Sequence, residues 1–494
     1  MSIPSMAAAP HDSTDPDRID PAVWRIAFTV VVGAMAVLFD TTIVSVALND
    51  LAKDLHTTIS TIQWVSTGYL LAMFVTIPIT GWAQSVLGGK RLWIIALGIF
   101  LVGSVLSASS WSATSLIVFR IVQGVGGGVM MPLISTLIMQ AAKGRNLGKV
   151  MSVVSLPTAL GPILGPVLGG IILTFGDWRW MFFVNIPFCA IGAYLALRNL
   201  PDDRPAPEIR TRLDVFGLLL LSPGVAAVIF GLSQVQGSAG ITSAKVFVPL
   251  LVGLALVVGF VVWALPRTNA LVNVHLFRYR ALASSSVCGF LSGATLYGAM
   301  LLLPLYWQQV RGEDALGAGL LLIPQGVGTL ISRSQAGKYT DRYGPRWVAF
   351  SGFTIVAAAT VPFAFVTANT SDVFLLAMLL VRGIGMGASL IPLNSAAFVG
   401  LSRTEIPDAS IITRVTQQVG GSMGTAVLAV ILQHSAAGAH APAALASAFG
   451  DAFWWAVAFT AAAVPVCLLL PGRPKPRPVL ATAEPTPEPE TARA

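Results

Sequence analysis

The sequence predicts an all-α polytopic membrane protein with fourteen transmembrane helices. Its composition is the first indication, because 55% of the 494 residues are hydrophobic and only 11% are charged, with a mean hydropathy of +0.77. Soluble domains carry about a quarter charged residues. The second indication is that apolar windows of about 20 residues, long enough to cross about 30 Å of hydrocarbon, recur along the whole chain. The third is that Lys and Arg accumulate in alternate loops.

The fourteen windows carry few charges and are separated by shorter polar or charged segments. They cover 25–48, 62–83, 92–110, 115–139, 149–174, 180–199, 214–235, 246–265, 281–307, 315–336, 347–367, 372–400, 408–433 and 451–471. An even number of spans places both chain ends on one side of the membrane. The N-terminal segment lacks the basic start and cleavage pattern of a signal peptide, so we expect the first helix to be retained.

The basic residues give this topology an orientation. Most of the 30 Lys and Arg residues lie in the tails and in the loops that follow even-numbered spans. The loops on the opposite side hold four: Lys53, Arg179, Lys245 and Arg311. Because basic residues accumulate on the cytoplasmic side, we expect both termini to be cytoplasmic and the protein to lie in the plasma or inner membrane.

Charged segments divide the chain into two halves with two helices between them. A Pro-rich stretch at 198–213 and a basic stretch at 266–280 bracket the seventh and eighth spans. The predicted organisation is a cytoplasmic N-terminal tail (1–24), a six-helix half (25–200), a linker with two inserted helices (201–280), a second six-helix half (281–471) and a disordered cytoplasmic tail (472–494).

An internal repeat supports the two halves. The segments Gly81–Lys90 and Gly337–Arg346, each predicted as the loop after the second helix of its half, share two spaced glycines and a final basic residue.

Several function classes find no support in the residues. Cys189, Cys288 and Cys467 each lie in an apolar run, without a CxxC pair or a nearby His at metal-ligand spacing. The five histidines lie in loops, a tail or near span ends, and no HExxH or Ser-His-Asp grouping occurs. The basic residues form short separated clusters and not one face, so membrane lipid is a simpler partner than nucleic acid. We therefore expect no enzyme, no metal site and no nucleic-acid binding.

Ionisable residues inside spans are the strongest functional candidates, because a charge at mid-bilayer is costly unless it faces a cavity or a partner. Asp40 lies deep in the first span, and Arg120, Arg382 and Arg414 lie in the fourth, twelfth and thirteenth spans. Asp40 serves either proton coupling or structural hydrogen bonding. Arg382 and Arg414 either face a cavity or snorkel towards the membrane rim.

Polar and bent positions complete the candidate set. Five polar or aromatic residues in the spans are predicted to line a substrate cavity, with packing or helix bridging as the alternative for each: Gln123, Tyr297, Gln325, Asn394 and Gln417. In the fifth span, Pro162 and Pro166 free backbone carbonyls and bend the helix, within the Gly-rich run Gly161–Gly170.

Together these motifs resemble the major facilitator superfamily, and within it the fourteen-helix drug:proton antiporters, over nearly the whole chain. The matching positions are Asp40, Thr42, Val44, Ala47 and Leu48 in the first helix, Leu116, Arg120, Gln123, Gly124 and Gly126 in the fourth, Gly161, Gly165, Pro166, Gly169 and Gly170 in the fifth, and the segment Asp177–Pro187. Two positions depart from the family pattern: Asn49 replaces a Pro, and Ser152 replaces the first Gly of the helix-five motif.

The loop after the second helix departs further. Ser85 and Val86 stand where the family has Asp and Arg, and Gly89 stands where it has Arg. The second-half counterpart keeps its charges at Asp341 and Arg342. In the family these charges help to hold one closed state, so the resemblance implies that gating here depends on Asp341 and Arg342.

The resemblance implies two six-helix halves plus two inserted helices, and proton-coupled export of drugs or other small amphiphilic compounds by alternating access. It assigns proton coupling to Arg120, together with Asp40, and needs no cofactor beyond the proton gradient. It assigns conformational change to the helix-five residues Gly161, Pro162, Gly165, Pro166, Gly169 and Gly170. The implied partners are substrate, protons and membrane lipids, and the expected state is a monomer.

Two other functions remain open from the sequence. One is a proton-coupled transporter of a specific metabolite on the same fold, which the helix-five exporter motif disfavours. The other is a non-transporting membrane sensor or scaffold, which would not need Asp40 and Arg120 within the bilayer. Because Arg382 and Arg414 make the second half positive, neutral, monocationic or weakly anionic substrates are favoured over dications.

Overall fold

The computed structural model describes residues 20–44, 47–142, 149–151, 165, 168–173, 175–203, 213–234, 243–267, 270–313, 315–367, 369–436 and 441–472. Throughout these ranges the regular secondary structure is helical, and twelve helices are long and apolar enough to cross a membrane. An all-helical fold follows from the sequence pattern, because inside hydrocarbon only a helix satisfies all its backbone hydrogen bonds within one segment.

The helices of the first half are α1 (Pro21–Ile43), α2 (Leu48–Asp54), α3 (Ile59–Thr76), α4 (Thr80–Leu87), α5 (Gly89–Ala108), α6 (Ala113–Ala142), α7 (Trp180–Phe183) and α8 (Asn185–Asn199). The next two helices along the chain are α9 (Val215–Gln234) and α10 (Ala244–Ala264). The second half comprises α11 (Arg280–Gln309), α12 (Ala315–Leu321), α13 (Ile323–Tyr343), α14 (Pro345–Ala364), α15 (Asp372–Ala396), α16 (Ile406–Ser435) and α17 (Pro442–Cys467).

Twelve of the fourteen predicted spans coincide with the membrane-spanning candidates. The predicted span 149–174 falls mostly outside the described residues. The predicted span 315–336 corresponds to α12 and α13, which are separate helices. Helix α13 continues to Tyr343 and carries several charged residues, so it is less apolar than the other long helices. A count of fourteen therefore stays a prediction.

The two segments predicted as loops after the second helix of each half are largely helical, which corrects that expectation. Helix α4 extends to Leu87 and α13 to Tyr343, so Asp341 and Arg342 lie in the last turn of a helix. The helices end at Gly88 and Gly344, whose φ angles of 78° and 87° lie in the left-handed region that terminates a helix.

Helix α6 packs closely against two neighbouring helices of the first half. A Cβ atom on Gly103 of α5 would lie 2.6 Å from the backbone of Gln123 on α6, and one on Gly124 would meet the backbone of Tyr69 on α3. Glycine at these positions lets the three backbones approach, as small residues do in membrane bundles. Helix α6 is consequently held between α3 and α5.

The two halves meet at the end of the bundle that carries the basic loops, here called the basic-loop end. The side chains of Thr136 and Ser410 are hydrogen bonded at 3.1 Å, and Gln140 Nε2 donates to the backbone carbonyl of Arg403 at 3.2 Å. Helix α9 contacts both α3 of the first half and α16 of the second. It therefore bridges the two halves along one side.

Candidate functional site

A polar cluster lies inside the first half, where four helices bring together Asp40 (α1), Tyr69 (α3), Arg120 and Gln123 (α6), and Asn185 (α8). All five residues are buried, and the exposed fraction of Asp40 is 0% and that of Arg120 is 1%. We call them the first-half polar cluster. The two residues that the sequence singled out for coupling, Asp40 and Arg120, are thus in the same place.

The carboxylate of Asp40 accepts three hydrogen bonds. Arg120 Nη1 donates to Oδ2 at 2.5 Å and forms a buried salt bridge. Gln123 Nε2 and Asn185 Nδ2 donate to Oδ1 at 2.9 and 3.2 Å. Buried charges are retained when paired and hydrogen bonded, and both conditions hold for this acid.

The guanidinium of Arg120 is held from several other sides. Its Nη1 also donates to Gln123 Oε1 at 2.7 Å, and its Nε donates to the carbonyl of Val65 at 3.3 Å. The ring centroid of Tyr69 lies 4.0 Å from Cζ, and such a cation–π contact is stronger between buried groups than between exposed ones. Arg120 therefore has contacts that would still hold it if the charge of Asp40 were neutralised.

Asn185 links this cluster to its outer support. Its Nδ2 donates to Ser104 Oγ at 2.9 Å as well as to Asp40, and Ser104 Oγ donates to the carbonyl of Phe182 at 2.8 Å. Sequence reasoning did not assign a role to Asn185 or Tyr69. The signal in the sequence for Asn185 is its amide within the segment Asp177–Pro187, which matches the family pattern.

Protonation is the chemistry this arrangement can perform. With Asp40 ionised, the charges of Asp40 and Arg120 cancel. A proton on Asp40 would leave the charge of Arg120 uncompensated inside the protein, and breaking a buried pair in this way costs about 3–5 kcal/mol. Proton binding is consequently tied to a change in the position or surroundings of Arg120.

The second half contains a buried arginine in a different setting. Arg382 on α15 is 1% exposed, which excludes snorkelling to the rim. Its Nη1 donates to Gln325 Oε1 at 2.6 Å, its Nε to Thr360 Oγ1 at 3.1 Å and its Nη2 to the carbonyl of Thr295 at 3.4 Å. Gln325, predicted as a cavity residue, is therefore a partner of Arg382.

The remaining predicted cavity residues are only partly brought together. A small cavity between α11, α15 and α16 is lined by Ser285, Gly289, Leu390, Leu393, Asn394, Thr413 and Gln417. Asn394 and Gln417 share this cavity. Gln123 belongs to the first-half polar cluster, and the hydroxyl of Tyr297 donates to Gln418 Oε1 at 3.4 Å.

Arg414, also on α16, lies on the side of that helix that faces the first half. Its Nη2 is 2.9 Å from Met131 Sδ on α6, and the residue is half-buried. It therefore places a positive charge close to the contact between the halves.

The predicted gating residues divide between the described and undescribed parts of the chain. Gly161, Pro162 and Pro166 lie outside the described residues, whereas Gly165, Gly169 and Gly170 lie within them. Gly165 lies directly against the side chain of Thr42, two residues after Asp40 on α1. This contact places Gly165 against the end of α1.

Asp341 connects the two halves at the basic-loop end. Its Oδ2 accepts a hydrogen bond from the backbone N–H of Lys149 at 3.0 Å. Its neighbour Arg342 has its Cζ 5.3 Å from the ring centroid of Tyr343. Asp341 is thus placed where a latch between the halves would act, and Arg342 contacts a residue of its own helix.

The linker after α10 is tied to the start of α16 at the same end. The hydroxyl of Tyr279 donates to Glu405 Oε1 at 3.1 Å, and the N–H and hydroxyl of Ser402 donate to Glu405 Oε2 at 2.8 and 2.9 Å. Partial burial raises the pKa of Glu405, but these hydrogen bonds and the nearby Arg278 have the opposite and larger effect. The pKa is therefore below its usual value. Glu405 is thus an ionised anchor for the linker.

Both the sequence and the fold are similar to those of known proteins. The sequence pattern of the Major Facilitator Superfamily matches residues 30–425. The chain is 38% identical over 422 residues to the multidrug resistance protein B homolog of Mycobacterium tuberculosis, covering 85% of this chain and 78% of that protein. It is 28% identical over 419 residues to the lincomycin resistance protein LmrB of Bacillus subtilis, covering 85% of this chain and 86% of that protein.

Solved structures agree on the fold. The human organic anion transporter MFSD10 superposes with a TM-score of 0.64 at 16% identity, covering 91% of this chain and 100% of that one. The proton:xylose symporter XylE superposes with a TM-score of 0.60 at 15% identity, covering 90% and 96%. At these identities the likeness concerns the fold alone.

Proposed function

Because this chain belongs to the Major Facilitator Superfamily, we propose that it is a proton-coupled antiporter that exports drugs or other small amphiphilic compounds by alternating access. It is a multi-pass membrane protein of this superfamily. Relatives that match most of its length are named for multidrug resistance and for lincomycin resistance, which supports a drug substrate. Within the superfamily we assign it to the fourteen-helix antiporters, with two inserted helices between six-helix halves.

The observation that carries this proposal is the buried pair of Asp40 and Arg120. A structural role needs only one satisfied hydrogen-bond network, whereas an antiporter needs a group whose charge changes between its outward- and inward-facing states. Asp40 is the acid of a pair that is neutral when ionised, and Arg120 keeps other partners when the acid is protonated. This pair therefore supports proton coupling better than it supports a scaffold.

In the proposed cycle a proton that reaches Asp40 releases Arg120 from the acid. Arg120 then relies on Gln123, Val65 and the ring of Tyr69. That rearrangement of α6 against α1 weakens the closed state and lets the halves rock to the opposite state. A membrane potential supplies about 2.3 kcal/mol per charge per 100 mV, which is enough to drive a useful substrate gradient.

The gate in this proposal is the contact between the halves at the basic-loop end. The bonds from Thr136 to Ser410 and from Lys149 to Asp341 hold that end closed. We assign this end to the cytoplasm on the distribution of Lys and Arg, with both termini on that side. The protein then opens to the outside in the state described here.

Efflux measurements test the proposal. A panel of fluorescent drugs is followed in inverted vesicles that contain the wild type, Asp40→Asn or Arg120→Ala, with and without a protonophore. Asp451→Asn is the matched control, because Asp451 is a carboxylate within an apolar helix but is exposed. We expect protonophore-sensitive transport in the wild type and in the control, and none in the other two variants.

Three results would contradict parts of this proposal. Protonophore-insensitive transport would reject proton coupling, and normal transport by Asp40→Asn would reject the assigned pair. If the wild type transports no member of the panel, the drug assignment fails and a transporter of a specific metabolite becomes the better account.

A further inference from the structure

Arg382 is a cation buried without an acid. The residue is 1% exposed, and its hydrogen-bond partners Gln325, Thr360, Thr295 and Met386 are all neutral. In the part of the chain that the structure describes, no Asp or Glu forms a salt bridge with it. Arginine stays protonated in proteins, so this site carries a full positive charge.

The two halves of the fold place different residues at the equivalent position. Gly124 of α6 lies against α3, the second long helix of the first half, and Gly383 of α15 lies against α13, its counterpart in the second half. Gln123 and Arg382 directly precede these glycines. The second half therefore has a guanidinium where the first half has a neutral amide.

The partner of that position differs as well. In the first half, Gln123 donates to the carboxylate of Asp40. In the second half, Arg382 Nη2 donates to the backbone carbonyl of Thr295, whose side chain is hydrogen bonded to Thr460. The first-half polar cluster is thus neutral when Asp40 is ionised, whereas its second-half counterpart is positive.

A buried charge without a counter-charge is costly, and an anionic group that comes within reach would offset that cost. Arg414 adds a second positive charge on the side of α16 that faces the first half. Both charges attract an anion and repel a cation. The cavity lined by Leu390 lies two helical turns from Arg382 along α15, towards the basic-loop end.

We propose that Arg382 is an anion-binding subsite and that the exported compounds are amphiphiles with a carboxylate, phenolate or similar acidic group. This inference rests on the proposed export function and names its substrate class. Gln325 is half-buried and covers Arg382 Nη1 at 2.6 Å. Rotation of this side chain, just after the break between α12 and α13, exposes the guanidinium to the substrate.

The charge of such a substrate also suits the driving force. An antiporter that moves a proton inward and an anion outward moves positive charge inward in both steps. Both movements are favoured by an inside-negative membrane potential, so transport of an anion responds to the potential as well as to the pH gradient.

Binding of two dyes to the purified full-length protein tests the subsite. Fluorescein is anionic and tetramethylrhodamine methyl ester is cationic, and both share a xanthene core. Polarisation titrations compare the wild type, Arg382→Gln, Arg382→Lys and Arg267→Gln. The last is a matched control, because Arg267 is an exposed arginine outside the central region and its loss changes the net charge equally.

We expect fluorescein to bind the wild type, the control and Arg382→Lys, and to bind Arg382→Gln about tenfold more weakly, since a unit charge pair at an effective dielectric of about 20 is worth at least that factor. The cationic dye should bind Arg382→Gln as well as or better than it binds the wild type. Loss of folding is not expected in Arg382→Gln, because removing a buried charge that has no acid partner relieves a cost.

Three results would overturn the inference: no binding of fluorescein to the wild type, equal binding to Arg382→Gln, or the same weakening for both dyes. These results are separate from failure of the export function. Protonophore-sensitive efflux of the cationic dye alone rejects the anion subsite and keeps the exporter. Arg382-dependent binding of fluorescein in a protein that transports no dye supports the subsite and rejects the exporter.

Discussion

Replacing Asp40 with Asn should destabilise the protein by about 3–5 kcal/mol, because the charge of Arg120 would remain buried without its acid. The hydrogen bonds around the carboxylate show why Asn cannot replace Asp40 without this loss. Gln123 and Asn185 donate to one carboxylate oxygen and Arg120 donates to the other. An Asn at this position has one accepting oxygen and one donating nitrogen, so at least one of these donors would face another donor.

Removing both charges should restore much of that stability. In Asp40→Asn combined with Arg120→Gln, the cluster is neutral again and amides can hydrogen bond to each other. We expect the double variant to lose less stability than the sum of the losses in the two single variants. The difference, the coupling energy, should be about 2–3 kcal/mol. Transport should be absent in all three variants, because stability and proton coupling depend on different properties of the pair.

Thermal unfolding of the purified protein in one detergent measures this cycle. The wild type, both single variants and the double variant are compared, with Asp451→Asn as a control that should shift stability by less than about 0.5 kcal/mol. If both single variants unfold at the wild-type temperature, the ion pair does not hold the first half together. If the double variant loses the sum of the two single losses, the residues are not coupled.

Three further outcomes follow from the described contacts. Asp341→Asn weakens the hydrogen bond from Lys149 by about 1–2 kcal/mol, so the ratio of open to closed basic-loop ends should rise about five- to thirtyfold. Labelling of single cysteines from that side measures this ratio. Unchanged labelling and transport would contradict the latch. Asn185→Leu leaves a buried carboxylate with one donor fewer, and should lower stability by about 1–3 kcal/mol and shift the pH profile of transport; a wild-type profile would reduce Asn185 to a packing residue. Gly103→Val should lower stability by about 3 kcal/mol through separation of α5 and α6, whereas Gly98→Val on the same helix, where a Cβ meets nothing within 4 Å, should have little effect in the same unfolding assay.

The contact between Asp40 and Arg120 illustrates what the sequence could indicate and what it could not. An acid and an arginine, each deep in a span, both need a partner, so their proximity is a reasonable expectation. Which other helices contribute to the cluster depends on tertiary packing. Asn185 is an amide on α8, and periodicity contains no information that α8 lies against α1.

For the polar residues in the spans, the sequence identifies the residues but not the neighbours that they contact. The sequence marks Tyr297, Gln325 and Asn394 as candidates for one cavity, since each is polar among apolar neighbours. In the structure the first bonds to Gln418 and the second to Arg382, and only the third lines the described cavity. A buried polar group is satisfied by whichever neighbour it meets, and that neighbour is set by helix packing.

The sequence predicts a loop around Asp341 where the structure has a helix, and the reason is local. Several charges beside glycines resemble a loop, yet helix α13 continues to Tyr343 because the first residue that favours the left-handed conformation is Gly344. The charges of this segment therefore lie on a rigid helix end. That rigidity places the Asp341 carboxylate where the backbone of the other half can donate to it.

Coupling of substrate movement to protons through Asp40 can be tested by measuring both fluxes at the same time. Proteoliposomes are loaded with a transported dye and an impermeant pH indicator, and dye release and luminal acidification are recorded together. We expect the wild type to acidify the lumen in fixed proportion to dye release, and Asp40→Asn neither to acidify the lumen nor to release dye. Dye release without acidification in the wild type, or acidification by Asp40→Asn equal to that of the wild type, would contradict this coupling.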